Sequence, residues 1–384
     1  MTTNFDDIRP FNTDEIPAAT QRMADSEVIP AIADFLGVSA DALRERIRNI
    51  HTIREFQWGL LKEVIEILVA KTTTGFDWSG LENISEKKPY LFVSNHRDIV
   101  LDAMFLQYIL YADQQNTCQI TFGSNLMSHP FVIDFGKVNK MFRTERGGTP
   151  KEFYNSMLHM SEYMRHVITE VHESVWIAQR NGRTKDGLDK TQQGLIKMLT
   201  FYDESRDVIE ILKEMHITPL TVSYEYEPCD KLKARELALS ENEKYVKKPG
   251  EDFNSVKQGI FGWKGEVNFV IGKPIDEQLD TISPELRKND KLNEVAKIID
   301  QQIYQNYHLF ATNYIAYDYL SNCQEFAEYY TSEQREKFLQ YIDKQSIVED
   351  VDADKMKSYL LQIYANPVKT HYGKELNHKE DNDW

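Results

Sequence analysis

Apolar residues recur at helical spacing up to about residue 75, through Val28-Ile-Pro-Ala-Ile-Ala-Asp-Phe-Leu36 and again through Phe56-Gln-Trp-Gly-Leu-Leu-Lys-Glu-Val-Ile-Glu-Ile-Leu68. Asp77-Trp-Ser-Gly80 then reads as a turn. From there the pattern changes to short apolar runs, Tyr90–Val93, Gln119–Phe122, Ser174–Ala178, Thr218–Tyr226 and Glu266–Ile271, separated by helical stretches. That alternation predicts an α/β fold: a mixed, partly parallel sheet flanked by helices. A strongly charged excursion from Pro228 to Asp252 predicts an exposed helix and loop. After Pro274 the chain reads as helical, including Leu292–Leu309 and Ser332–Asp343, and the polar stretch from Asn366 to Trp384 reads as a fraying tail. The organisation expected is an N-terminal helical region (1–80), an α/β domain (81–280) and a C-terminal helical region with a polar tail (281–384). There is no internal repeat.

One stretch breaks the pattern. Between the strand-like Pro89-Tyr-Leu-Phe-Val93 and the helix-like Ala103-Met-Phe-Leu-Gln-Tyr-Ile-Leu-Tyr111 lies Ser94-Asn-His-Arg-Asp-Ile-Val-Leu-Asp102. A histidine at a strand-to-helix junction with Asp98 and Asp102 in reach is the arrangement of a general base. Imidazole titrates near neutrality, and a carboxylate on its second nitrogen fixes the tautomer and stabilises the protonated ring. The plainer alternative is a helix cap with its hydrogen-bond partner.

The formal charge of −16, from 45 basic against 61 acidic side chains, disfavours nucleic acid as a partner. It also makes two basic islands conspicuous: Lys137, Lys140, Arg143, Arg146 and Lys151, and Arg180, Arg183, Lys185 and Lys190 around Asp186 and Asp189. Glycines beside both islands favour a binding role over a merely solvated surface. The three cysteines, Cys118, Cys229 and Cys323, show no paired spacing, which predicts a reducing compartment and no zinc site. No basic-then-apolar leader opens the sequence, and no apolar run approaches the roughly 18 residues of a membrane span. A cytoplasmic protein is expected.

In α/β sheets the groups that work on substrate gather at the carboxyl ends of strands. There stand Asn95-His-Arg-Asp98, Gly123-Ser-Asn-Leu126, Met141-Phe-Arg-Thr-Glu-Arg-Gly-Gly148, Gln179-Arg-Asn-Gly-Arg-Thr-Lys-Asp-Gly187 and Thr218-Pro-Leu-Thr221. A histidine base facing guanidinium groups on glycine-bearing loops suits an anionic substrate whose hydroxyl must lose a proton, because the planar fork of arginine matches phosphate.

The order of these blocks resembles the glycerolipid acyltransferase family, which acylates glycerol 3-phosphate and lysophosphatidic acid. The likeness runs from Pro89 to Pro274. Asn95-His96-Arg97 with Asp102 is similar to the family's histidine–aspartate block, and Gly136-Lys-Val-Asn-Lys-Met-Phe-Arg143 to its second. Val175-Trp-Ile-Ala-Gln-Arg-Asn-Gly-Arg183 is similar to the third, and Pro219 to the proline of the fourth. Gly123-Ser-Asn-Leu126 and Phe269-Val-Ile-Gly-Lys-Pro274 resemble the glycerol-phosphate branch.

Two departures stand out. Asp102 follows His96 by six positions, one more than the family spacing, and no glutamate precedes Gly182-Arg183. At about 100° per residue, six positions on a continuous helix would point the two groups apart, so His96 must sit before the helix in irregular backbone. Asp102 is the preferred partner and Asp98 the alternative. The resemblance implies that His96 takes a proton from a glycerol hydroxyl as it attacks acyl-CoA or an acyl carrier protein thioester. It further implies that Arg143 and Arg183 hold the phosphate, with Arg146, Lys185 and Asn125 as additional contacts. No cofactor or metal is implied, and peripheral membrane contact is, with the amphipathic stretch Trp58–Leu68 as a candidate otherwise read as core. The alternative is an inactive lipid- or acyl-carrier-binding protein of the same fold.

Other patterns fall away. His96-Arg-Asp98 and Asp134-Phe-Gly136 mimic kinase signatures, but Ala103 stands where a kinase needs asparagine, and no glycine-rich loop or Val-Ala-Ile-Lys strand precedes them. His159 and His166 share a helix face better read as half-buried than as metal-binding, and His129 reads as a turn residue. The aromatic run Tyr304–Tyr319 reads as helix packing.

Overall fold

The computed structural model describes residues 4–127, 129–241, 245–248 and 250–374. Its centre is a seven-stranded sheet: β1 (Thr73–Ser79), β2 (Leu91–Ser94), β3 (Gln119–Gly123), β4 (Met141–Thr144), β5 (Val175–Ala178), β6 (Ile217–Tyr224) and β7 (Gly265–Ile271), in the order β1-β7-β6-β2-β5-β3-β4. Every neighbouring pair is parallel except β6 with β7. The expected mixed, partly parallel α/β architecture is therefore the observed one.

The strands that read as continuous apolar runs are the central ones. β2, β5 and β6 are buried along their whole length, as parallel strands covered on both faces must be. Alternate side chains go to opposite faces. Leu91 and Val93 pack beneath the helices Pro150–His166, Gln193–Met198 and Lys288–Asn306, whereas Phe92 and Trp176 face the N-terminal helices and the helix Leu101–Ala112. Pro219 sits in β6 opposite Val93. The pairing of β6 with β7 begins only at Leu220, so the missing N–H leaves no gap in that ladder, and the Pro219 carbonyl still accepts from Gly272 N at 2.8 Å.

Two strands were not legible. β1 lies within a stretch read as helix and turn, because Thr-Thr-Gly-Phe-Asp-Trp-Ser carries few apolar residues; edge pairing with β7 makes it a strand. β4 is a four-residue edge strand held by β3. The charged excursion is also less exposed than expected: helix Asp230–Leu239 buries Asp230, Lys233, Ala234 and Ala238. It joins the helices Ala311–Ser321, Ser332–Gln345 and Ala353–His371 in a separate apolar core. The polar tail begins later than expected, since Asn366, Pro367 and Val368 are buried within the last of these helices. Residues 375–384 of that expectation lie outside the described residues. Trp58–Leu68 is core on its apolar side, with Leu60, Leu61, Ile65 and Leu68 buried. No helix among the described residues is long and apolar enough to cross a membrane.

Candidate active site

β2 ends at Ser94, and the helix that follows begins only at Leu101. His96 therefore stands in the irregular backbone between them, and the six-residue offset never has to be met on a helix. Asp102, fully buried in the first helical turn, turns back to the loop: its Oδ2 lies 2.9 Å from His96 Nδ1 and accepts from Arg97 N at 2.7 Å and Asp98 N at 3.0 Å. Its Oδ1 accepts from the Tyr224 hydroxyl at 2.8 Å. These donors fix the carboxylate's orientation against the ring. Trp176 meets the imidazole edge-on at 5.5 Å.

Asp98 does a different task. Its Oδ1 accepts from Val100 N at 2.9 Å and Leu101 N at 2.8 Å, capping the helix. Its Oδ2 is buried with no hydrogen-bond partner among the described residues. Burial, and then the nearby Asp102 charge, push its carboxyl above the usual range.

A buried ionic brace holds the loop from below. Arg97 is 1% exposed and pairs with Asp189 at 2.5 Å and Glu227 at 3.1 Å, with its guanidinium over the Tyr307 ring at 5.1 Å. Lys233 Nζ donates to Glu227 at 2.5 Å and to the Arg97 carbonyl at 2.7 Å. Asn95 Nδ2 bonds Asp189 at 2.9 Å and the Val222 carbonyl at 2.9 Å, tying the end of β2 to β6. Finally Thr184 N donates to the His96 carbonyl at 2.8 Å, which fastens the loop after β5, Arg183 included, beside the histidine.

The basic candidates separate. Arg183 is half-buried, with Nη1 unpaired among the described residues, and its charge reaches Asp98, Cys229 and Asp252. Arg146 Nη1 donates to Asn181 at 3.1 Å. Arg146 crosses the backbone of Gly123 so closely that a Cβ there would stand 2.7 Å from its Nε. Desolvation lowers its affinity for a proton, partly offset by Asp252, without threatening its charge. Asn125 Nδ2 donates to Asp252 at 3.1 Å. Arg146 with Asn181, Asn125 with Asp252, and Arg183 near Asp252 thus link the ends of β3, β4 and β5, and Thr184 joins the last of these loops to the His96 backbone. Arg143 is exposed and pairs with Glu145 at 2.7 Å, and Lys185 is turned to Glu236, so each already has a carboxylate partner.

Three contributors escaped the sequence reading. Tyr224 ends a strand with nothing local to mark it as a partner of Asp102. Asp252 meets Asn125 and Lys247 from the helix Glu251–Phe261; burial pushes its carboxyl up, but Lys247 and Asn125 outweigh that and hold it low. Lys264 is buried, with Nζ on the Gly262 and Ile260 carbonyls at 2.6 and 3.0 Å, and burial, opposed by the Asp98 and Cys229 charges, brings its ammonium down to about 8.

On the other side of Arg146 and Asn181 opens a cavity of about 470 Å³. Phe153, Met157, Met160, Ile177, Leu195 and Met198 give it apolar walls. Among the described residues no cluster of metal-ligating side chains occurs, and His159, His166 and His129 are engaged with Asp7, Glu170 and the Phe131 N–H.

This arrangement, a buried histidine–aspartate pair at the carboxyl end of a mostly parallel sheet with arginines on the adjoining loops, coincides with a family match. Residues 75–223 match the family model described as Acyltransferase. The match takes in β1 to β6 with His96, Asp102, Arg146 and Arg183, and stops short of β7 and the helix Glu251–Phe261. Among solved structures, the 1-acyl-sn-glycerophosphate (LPA) acyltransferase PlsC from Thermotoga maritima is similar at 13% identity and a TM-score of 0.38, over 75% of this chain and 95% of that one. No curated protein matches.

Proposed function

We propose that the chain is an O-acyltransferase that moves a fatty acyl group from acyl-CoA or acyl carrier protein to a hydroxyl of glycerol 3-phosphate or a related lyso-lipid. The observation that carries the reading is the His96–Asp102 pair, 2.9 Å apart and buried, with Arg183 fastened beside it through Thr184. With Nδ1–H held by Asp102, His96 Nε2 is the free base. It takes the hydroxyl proton as the oxygen attacks the thioester carbonyl; the tetrahedral adduct then expels the thiolate, which recovers that proton from the imidazolium. Arg183 and Arg146 grip the phosphate, and Asn125 supplies a further polar contact, so the hydroxyl is positioned as well as bound. The acyl chain lies in the apolar cavity of about 470 Å³, whose mouth shares Arg146 and Asn181 with the phosphate group. Such an enzyme works at a membrane surface without spanning it.

The reading as an inactive binding protein drew on the irregular histidine-to-aspartate spacing, and the paired geometry removes that support. The test is release of free thiol from acyl-CoA in the presence of glycerol 3-phosphate or lyso-lipid. His96→Ala should lower turnover by roughly 10²- to 10⁴-fold with the fold intact by circular dichroism. Undiminished turnover in that variant would remove the histidine from the chemistry.

A further inference from the structure

The helix Glu251–Phe261 lies over the site, and its inner face is tied there. A Cβ on Gly259 would stand 1.9 Å from Asp98 Oδ2, and Asp252 is bonded to Asn125. Its outer face is unlike a water-facing surface. Phe253, Lys257 and Phe261, four residues apart, form one stripe, and Phe253 is 72% and Phe261 50% exposed. Trp263 just beyond is 53% exposed, and Val246 just before is 81% exposed. Phe261 meets Phe35 edge-on at 5.0 Å, which carries the apolar patch onto the N-terminal helices. Lysines ring it: Lys247, Lys248 and Lys257 are exposed, and Lys71 sits over Phe35. Of the acids on the helix, Asp252 is engaged by Lys247 and Glu251 by the Tyr245 hydroxyl, while Asp34 and Glu266 at the rim are exposed.

In a chain of net charge −16, exposed aromatics set among lysines form a local surface of the opposite character. Tryptophan and phenylalanine favour the headgroup–acyl boundary, and lysines are drawn to anionic lipid. We propose that this face docks on an anionic bilayer. Docking there sets the covering helix against the leaflet and the mouth of the site at the depth from which a lyso-lipid enters. The purpose rests on the acyl-transfer reading, whereas the binding does not.

The experiment is co-sedimentation of the full chain with vesicles of phosphatidylcholine alone or mixed equally with phosphatidylglycerol. The wild type should sediment with the mixed vesicles and be released by salt. Phe253→Ser with Trp263→Ser should weaken partitioning by about tenfold or more. Lys248→Glu with Lys257→Glu should abolish the preference for the anionic lipid. Both variants should keep wild-type turnover of glycerol 3-phosphate with a short-chain acyl-CoA and the wild-type circular dichroism spectrum; if the first misfolds, Val246→Ser with Lys257→Glu reads the same face. A wild type that ignores the vesicles, variants that bind as it does, or light scattering showing that the face instead joins two copies would each overturn the proposal. Vesicle binding without thiol release from any acceptor would overturn only the acyl-transfer reading.

Discussion

Asp102 and Asp98 are chemically identical, and position alone separates them. Asp102 is the second residue of the helix, so its carboxylate turns back over the helix start and meets His96, two loop N–H groups and Tyr224. Asp98 precedes the helix and spends one oxygen on the cap. The two candidates were readable in the sequence; the Tyr224 hydroxyl, 122 residues away, was not. The same logic sorts the basic residues, since a guanidinium held by a neighbouring carboxylate is less available to a substrate phosphate. Arg183→Ala should therefore raise KM for the phosphate-bearing acceptor by about ten- to a hundredfold, and Lys185→Ala by less than about twofold. Initial rates against acceptor concentration decide it, and equal effects of the two changes would place the phosphate elsewhere.

Among the elements, the best-read strands are those buried on both faces, because continuous apolar runs need no partner to be recognised. β1 and β4 are made by pairing at the two edges, which local sequence does not encode. The helix Glu251–Phe261 carries a constraint of another kind: Gly259 is small because Asp98 Oδ2 occupies the space its side chain would fill. Gly259→Ala should push the helix or Asp98 aside, costing about 1–3 kcal/mol of stability and reducing turnover severalfold. Urea unfolding with a turnover assay checks this, and a variant as stable and active as the wild type would mean that the helix does not rest on Asp98. The loop after β5 is fixed by a similar approach: Gly187, at φ +81°, has the Ile363 carbonyl where a side chain would be, so the C-terminal helix Ala353–His371 closes directly on the segment that bears Arg183.

The three packed layers and the C-terminal helices meet at this loop, and their junction has a pH dependence. Asp300, on the helix Lys288–Asn306, accepts from Thr191 N at 2.7 Å, and burial raises its carboxyl from 3.8 to about 6. An acid whose folded value is raised favours the fold while protonated, a contribution complete below about 4 and lost as pH rises through about 6. Above that, the buried charge opposes folding. Asp300→Asn keeps the oxygen that Thr191 needs and should stabilise the protein by about 2 kcal/mol at pH 8, with the difference vanishing below pH about 4. Denaturant unfolding across that range tests it, and a difference independent of pH would show that Asp300 does not titrate in this window.

The chain's local pattern determined the α/β class, the five interior strands, the histidine with its two aspartates and the arginine-bearing loops, because burial periodicity and ionisable breaks in apolar runs are written in adjacent residues. Which aspartate faces His96, how each arginine is partnered, and how Tyr224, Asp252 and Lys264 enter the site came from folding. Those choices depend on contacts between segments far apart in the chain, such as Arg97 with Glu227, and on which neighbour satisfies each charge first.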